Sequence, residues 1–270
     1  PLTRLIKSLG AYFIRRKARG ALYRRVLARY VQMATAAGVT QAVFPEGGLS
    51  LNGRLMPPKM GLLSYVLEGF DPVAGRDVMF VPVAINYDRV LEDRVLIAAS
   101  ERGDRKFGGK VSVVFKFILR RTWHRMCGQP FQFGTAAVTF GEPISLRSYV
   151  ETPSAEALAI DLMTRIEDVM PVVVVPLLSR ALLKGKVAAD DAGLIAELNA
   201  QLMDSMSATM SVPKDELGTV ANQALKQLAE REIVECVDGF WRVLPENEPV
   251  LKFYANSIAH YYPIEDALAE

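Results

Sequence analysis

Phe44-Pro45-Glu46-Gly47-Gly48-Leu49-Ser50-Leu51-Asn52-Gly53-Arg54-Leu55-Met56-Pro57-Pro58-Lys59 decides how this chain is read. A short apolar run over 41–45 predicts a strand, and the glycine-rich turn after it leads toward a helix over 59–68. Gly47 and Gly48 allow a close backbone approach, and a helix entered at Pro57 and Pro58 would aim free N–H groups and the positive end of its dipole at an anion. Two readings of the loop stand side by side: an ordinary strand-to-helix connection, and a phosphate cradle.

The flanking patterns extend an α/β reading outward. Helical spacing covers 19–37, and a β-branched alternation predicts a strand over 78–86. Another strand is expected over 136–140. Residues 110–126 fit both periods; a helix is chosen because Arg120, Arg121 and Arg125 then share one polar side. Beyond Ser148 the pattern turns helical. Thr152-Pro153-Ser154-Ala155-Glu156 has helix-start chemistry before a helix over 157–168, and further helices are expected over 194–206 and 214–230. Asp238-Gly239 joins two apolar runs, 233–237 and 240–244, as a hairpin. With a last helix over 250–261, this second part is winged-helix-like. The expected fold is therefore a mixed sheet flanked by helices in an α/β domain, 1–150, then a mainly helical domain with a β-hairpin, 151–270.

Composition excludes several classes. Half of the 270 residues are apolar, enough for a core rather than a disordered tail. The net charge of +2 hides an asymmetry, since Arg4, Lys7, Arg15, Arg16, Lys17, Arg19, Arg24, Arg25 and Arg29 all precede the first acid, Glu46. Such a start suits an anionic membrane surface or a phosphorylated substrate, and equally a solvated helix face; no nucleic-acid motif accompanies it. Cys127 and Cys236 fit no disulfide or zinc pattern and read as structural thiols. The longest apolar run, 169–178, is broken by Pro171 and Pro176 and is shorter than the roughly 18 residues of a membrane span, so it reads as a buried element. Neither a metal nor a cofactor is expected.

Several blocks resemble the glycerol-3-phosphate acyltransferase family, in its membrane-associated bacterial branch. Phe-Pro-Glu-Gly-Gly at 44–48 is similar to the family's Phe-x-Glu-Gly-Gly/Thr block. Gly10-Ala11-Tyr12-Phe13-Ile14-Arg15-Arg16 resembles its Gly-x-x-Phe-Ile-Arg-Arg block, and Phe80-Val81-Pro82-Val83 its later strand. Phe140-Gly141-Glu142-Pro143 and Asn256-Ser257-Ile258-Ala259-His260 resemble stretches beyond them. The resemblance implies transfer of a fatty acyl group from acyl-CoA or acyl carrier protein to glycerol 3-phosphate, at the cytoplasmic face of the inner membrane by a peripheral protein.

Two departures qualify this. The family works with a His-x-x-x-x-Asp pair, in which the histidine is the general base and the aspartate orients it. Here His124 is followed five residues on by Gln129 and His260 by Glu265, and neither precedes the arginine block. Both read as structural, His260 packed between the two domains. Leu49 and Leu51 occupy positions where the family usually carries arginines. An arginine fork on a phosphate contributes charge-assisted bonds of about 1.5–3 kcal/mol each, so replacements are needed. The candidate acceptor site is Arg15, Arg16, Arg54 and Lys59 with Gly47, Gly48 and Ser50, while Glu46 braces the loop or touches a glycerol hydroxyl. The leucines leave open another acceptor such as dihydroxyacetone phosphate, and the missing pair a non-catalytic membrane-bound relative. The expectation is that the pair lies upstream of Pro1 and that these residues alone are inactive. The coding sequence before Pro1 is predicted to contain His-x-x-x-x-Asp some tens of codons before Gly10; a start codon at Pro1 would remove the catalytic reading.

Overall fold

The structure is a computed structural model that describes residues 8, 10, 14, 20–103, 134–149, 154–203 and 216–262. Arg15, Arg16, His124, Cys127 and the helix expected over 110–126 lie outside them. The chain forms two compact units, one from residues 1–45, 59–80 and 144–159, the other from 46–58, 81–143 and 160–270. The α/β character is as expected. Among the described residues, however, the strands form three small antiparallel sheets rather than one mixed sheet.

In the first unit, α1 (Ala21–Ala36) ends where Gly38 takes φ 71°. Gly38 N–H bonds the Thr35 carbonyl at 2.9 Å and Val39 N–H the Ala34 carbonyl at 3.0 Å, a double bond pattern that satisfies the helix's last carbonyls. α2 (Gly61–Glu68) packs against α1. β1 (Met79–Phe80) pairs with β4 (Ile144–Ser145), and the Asp77 carboxylate fastens that corner by accepting from Ser145 Oγ at 2.6 Å and Arg147 N–H at 3.0 Å.

The strand expected over 78–86 is split. Pro82 interrupts it, since proline offers no ladder donor. After it, β2 (Val83–Tyr87) pairs with β3 (Ala136–Phe140), Ile85 opposite Val138. The pleat of β2 is inverted relative to a simple apolar-in pattern: Ala84, Asn86 and Asp88 are buried, while Val83, Ile85 and Tyr87 face outward. The buried polar groups are matched to backbone. Asn86 Nδ2 donates to the Pro171 carbonyl at 3.0 Å and to Ser257 Oγ at 3.2 Å.

Asp88 has the larger task. The apolar run over 169–178 leads into α5 (Val174–Lys184), which follows α3 (Asp93–Glu101) and α4 (Ala155–Asp168) in chain order and is buried through almost its whole length. A helix apolar on all sides belongs in a core, where its open N–H groups need protein partners. Its N-cap, Val173, has no side-chain acceptor, and Asp88 Oδ1 takes the Val175 N–H instead at 2.8 Å. Asp88 Oδ2 takes Thr135 N–H at 2.8 Å. Burial pushes this carboxyl above the usual carboxylate range, and the backbone donors pull it back.

Around α5 pack α6 (Asp191–Met203), α7 (Leu217–Glu230) and α8 (Glu248–Asn256), through Leu194, Leu198, Leu225 and Leu251 among others. β6 (Val234–Val237) and β7 (Phe240–Val243) form the expected hairpin, with positive φ at both Asp238 and Gly239. β5 (Val187–Ala188), not anticipated, adds a third strand beside β7. Cys236 is exposed on β6.

A second buried carboxylate joins three helices. Asp93, 3% exposed at the start of α3, accepts from Tyr254 Oη of α8 at 2.7 Å and from Arg231 Nη2 at the end of α7. Tyr254 Oη in turn accepts Val90 N–H at 3.1 Å. Burial, reinforced by Asp93, pushes the Tyr254 hydroxyl up to about 12. His260 lies against the Tyr261 ring, centroids 4.2 Å apart. Burial pushes its imidazole below the usual value, partly opposed by the Glu167 backbone and the Asp168 charge.

Two predictions follow from these buried groups. Asp93→Ala strands the Arg231 charge and should lower unfolding free energy by about 3 kcal/mol or more, against about 2 kcal/mol for Tyr254→Phe, as read from urea titration. His260 folds preferentially neutral, so its contribution is fully present above its unfolded value of ~6.5 and is lost as pH falls through the lower folded value. The stability drop between about pH 7.5 and about pH 5.5 should therefore shrink in His260→Gln.

Candidate functional site

The loop over 46–58 builds its shape from its own polar groups. Lys59 N–H donates to the Pro45 carbonyl at 2.8 Å, closing the base, so the segment is an Ω-type loop. Glu46 Oε2 accepts Met56 N–H at 2.9 Å across it. Burial pushes the Glu46 carboxyl above its ordinary range, and that N–H draws it down. Ser50 Oγ donates to the Arg54 carbonyl at 2.7 Å, and Arg54 N–H donates to Asn52 Oδ1 at 3.2 Å. Gly47 takes φ 65°, the left-handed turn that favours glycine, whereas Gly48 does not need it.

Two expectations about this region are corrected. Residues 41–44 join no ladder among the described residues, so the expected strand over 41–45 is absent. No helix is entered at Pro57 or Pro58, because each proline holds the residue before it out of the α region. α2 begins at Gly61, with Met60 as its N-cap and no side-chain cap. The helix-dipole contribution expected from Pro57 and Pro58 is therefore not part of the loop.

The loop is seated on α8 within the second unit. Gly53 has φ 86°, and a Cβ there would lie 1.8 Å from the Phe253 carbonyl oxygen, so any side chain is excluded. Asn256 Nδ2 donates to the Asn52 carbonyl at 2.8 Å, while Arg54 Nε donates to Asn256 Oδ1 at 3.3 Å. An open recess of about 420 Å³ adjoins this seat, lined by Leu51, Asn52 and Arg54 of the loop, Glu101 of α3, and Lys252 and Asn256 of α8. Lys252 pairs with Glu248 at 3.2 Å, leaving Arg54 as the loop's own cation at the recess.

Of the candidate residues, Glu46, Gly47, Gly48, Ser50 and Arg54 fall in this one loop of the second unit. Lys59 is exposed and belongs to the first unit. Arg15 and Arg16 lie outside the described residues. The two leucines differ: Leu49 is 64% exposed, whereas Leu51 packs against the second unit's core. Asn52, Gly53 and Asn256 were not singled out by the sequence reading for this site. Gly53 in a glycine-rich loop was a usable signal; the pairing of Asn256 with Arg54, 202 residues apart, was not.

Comparison with known proteins agrees with the motifs. A family model described as the glycerol-3-phosphate acyltransferase C-terminal region matches residues 129–269, and an acyltransferase model matches residues 1–86. The glycerol-3-phosphate acyltransferase of Pseudoalteromonas atlantica is 27% identical over 296 residues, covering 98% of this chain and 35% of that protein. Those of Shewanella amazonensis and Aeromonas hydrophila are 29% and 30% identical, each covering 96% of this chain and 34% of the relative. The chain thus spans about a third of the length of these relatives. With one family model covering more than half of its residues, the chain belongs to the glycerol-3-phosphate acyltransferase family.

Proposed function

We propose that the chain supplies the acceptor-binding part of a glycerol-3-phosphate 1-O-acyltransferase, which moves a fatty acyl group from acyl-CoA or acyl carrier protein to glycerol 3-phosphate and yields lysophosphatidic acid. The observation that carries this is the braced Glu-Gly-Gly loop presenting Arg54 at a recess, in a chain of this family. The relatives' names supply the substrate.

In this reading Arg54 holds the acceptor phosphate, and Gly47, Gly48 and Ser50 shape the loop around it. Charge-assisted donors fix one end of a small substrate so that its hydroxyl stays in attack geometry. A histidine of the His-x-x-x-x-Asp pair takes the hydroxyl proton as the oxygen attacks the thioester carbonyl, and the thiol leaves with a proton. Glu46 acts as a brace through Met56. Because Leu49 and Leu51 stand where the family carries arginines, a second variant of this reading keeps the reaction and changes the acceptor, for example to dihydroxyacetone phosphate.

Two finer features belong to the same proposal. The protein attaches peripherally to an anionic membrane at its cytoplasmic face: α1 exposes Leu22, Val26, Tyr30 and Met33 along one side, with Arg25 and Arg29 also exposed. Among the described residues no helix is long and apolar enough to cross a membrane. The unit formed by α6, α7, the hairpin and α8 is read as winged-helix-like, supported by the third strand, β5, beside the hairpin.

In the complete protein, Arg54→Ala is expected to raise KM for glycerol 3-phosphate roughly tenfold to hundredfold, with kcat much less affected. Steady-state rates at varied acceptor concentration measure this. An unchanged KM would remove the proposed phosphate site.

A further inference from the structure

We infer that Asn256 is the positioning residue for Arg54: by binding Nε it turns the two terminal guanidinium nitrogens toward the acceptor phosphate. This rests on the reading of Arg54 as a phosphate ligand. Asn256 Oδ1 accepts from Arg54 Nε at 3.3 Å, and Asn256 Nδ2 donates to the Asn52 carbonyl at 2.8 Å. Both halves of one amide are thus used on the same loop. A short side chain that donates and accepts at two separated atoms is needed there, which a carboxylate without a donor does not provide.

The geometry has a direction. Nε is the inner nitrogen of the guanidinium, so engaging it orients the plane while sparing the fork that matches phosphate oxygens. No hydrogen bond joins those terminal nitrogens to a described residue, and Arg54 and Asn256 line the same recess. An unanchored arginine would have to be ordered when substrate binds, at an entropic cost that falls on affinity.

The anchor itself is fixed. Asn256 is the last residue of α8, two positions after Tyr254, whose hydroxyl is held by Asp93 and Val90. Ser257 Oγ, the next side chain, accepts from Asn86 of β2 and donates to the Tyr254 carbonyl at 2.8 Å. On the loop side, Gly53 lies directly on Phe253. The Asn-Ser-Ile-Ala-His block is thereby tied to the glycine loop through its first residue.

The test uses the complete protein with Asn256→Ala, Arg54→Ala and the double variant, measuring rates against glycerol 3-phosphate alongside thermal melting. Asn256→Ala should raise KM at least about fivefold with kcat within about twofold, and the double variant should be no worse than Arg54→Ala, because the two side chains act as one unit. A purely structural role would lower the melting point and leave KM unmoved. The inference is overturned if Arg54→Ala raises KM while Asn256→Ala does not, or if the two effects multiply. If Arg54→Ala itself leaves KM unchanged, the phosphate-ligand reading fails first and takes this inference with it. Should the alanine variant not fold, the isosteric Asn256→Asp decides: its carboxylate pairs with the guanidinium and repels phosphate, so KM must rise, and a wild-type KM overturns the inference.

Discussion

A buried carboxylate at the end of one strand, Asp88, sets the terms for the second unit. α5 is mostly apolar, with Ser179 and Arg180 buried along with its aliphatic residues, and lies in the core, yet its first turn carries no capping side chain of its own. Unmet N–H groups there would cost about 1–3 kcal/mol each. Asp88 removes that cost while its other oxygen holds Thr135 at the start of β3. One residue therefore couples the β2–β3 ribbon to the helix on which α7 and α8 pack. Gly134 reflects the tightness of this joint, since a Cβ there would stand 2.6 Å from that of Asp88.

From that joint, polar ties lead outward to the loop. Asn86 of the same buried face reaches Ser257, and Asp93 holds Tyr254, so α8 is located by hydrogen bonds as well as by its apolar side. The glycine loop then rests on the C-terminal end of α8 through Gly53 and Asn256. Geometry at Arg54 is thus inherited from groups that never approach the recess. Buried polar networks specify a unique arrangement when every member is satisfied, which is the property a site held on a loop requires.

Much of this was legible in the residues. The Asp238–Gly239 turn, the helical spacing that becomes α1 and α7, and the apolar run that becomes α5 are local signals, and local signals survive in a single sequence. The family motifs were likewise contiguous. What was not legible depends on partners. Pro82 breaks an alternation that otherwise reads as one strand, and the inward turn of Asn86 and Asp88 makes sense only once the Pro171 carbonyl and the Val175 N–H are in place. Pro57 and Pro58 look like a helix start by type, but their effect on the preceding residues delays α2 to Gly61. In the loop, Glu46 was marked by the motif and Arg54 as a basic replacement for the arginines missing at Leu49 and Leu51, whereas Asn256 as the partner of Arg54 has no trace in spacing.

The seat of Gly53 on Phe253 also has a meaning in time. The loop and its support are far apart along the chain, 202 residues at the Arg54–Asn256 bond. Closing so long a separation is entropically slow compared with forming a helix or a hairpin. During synthesis the loop emerges long before α8 exists, and through that interval it lacks the helix on which it is seated. The shape of the loop is therefore a late product of folding, and a nascent or interrupted chain carries the whole glycine motif without the seat that gives it this shape.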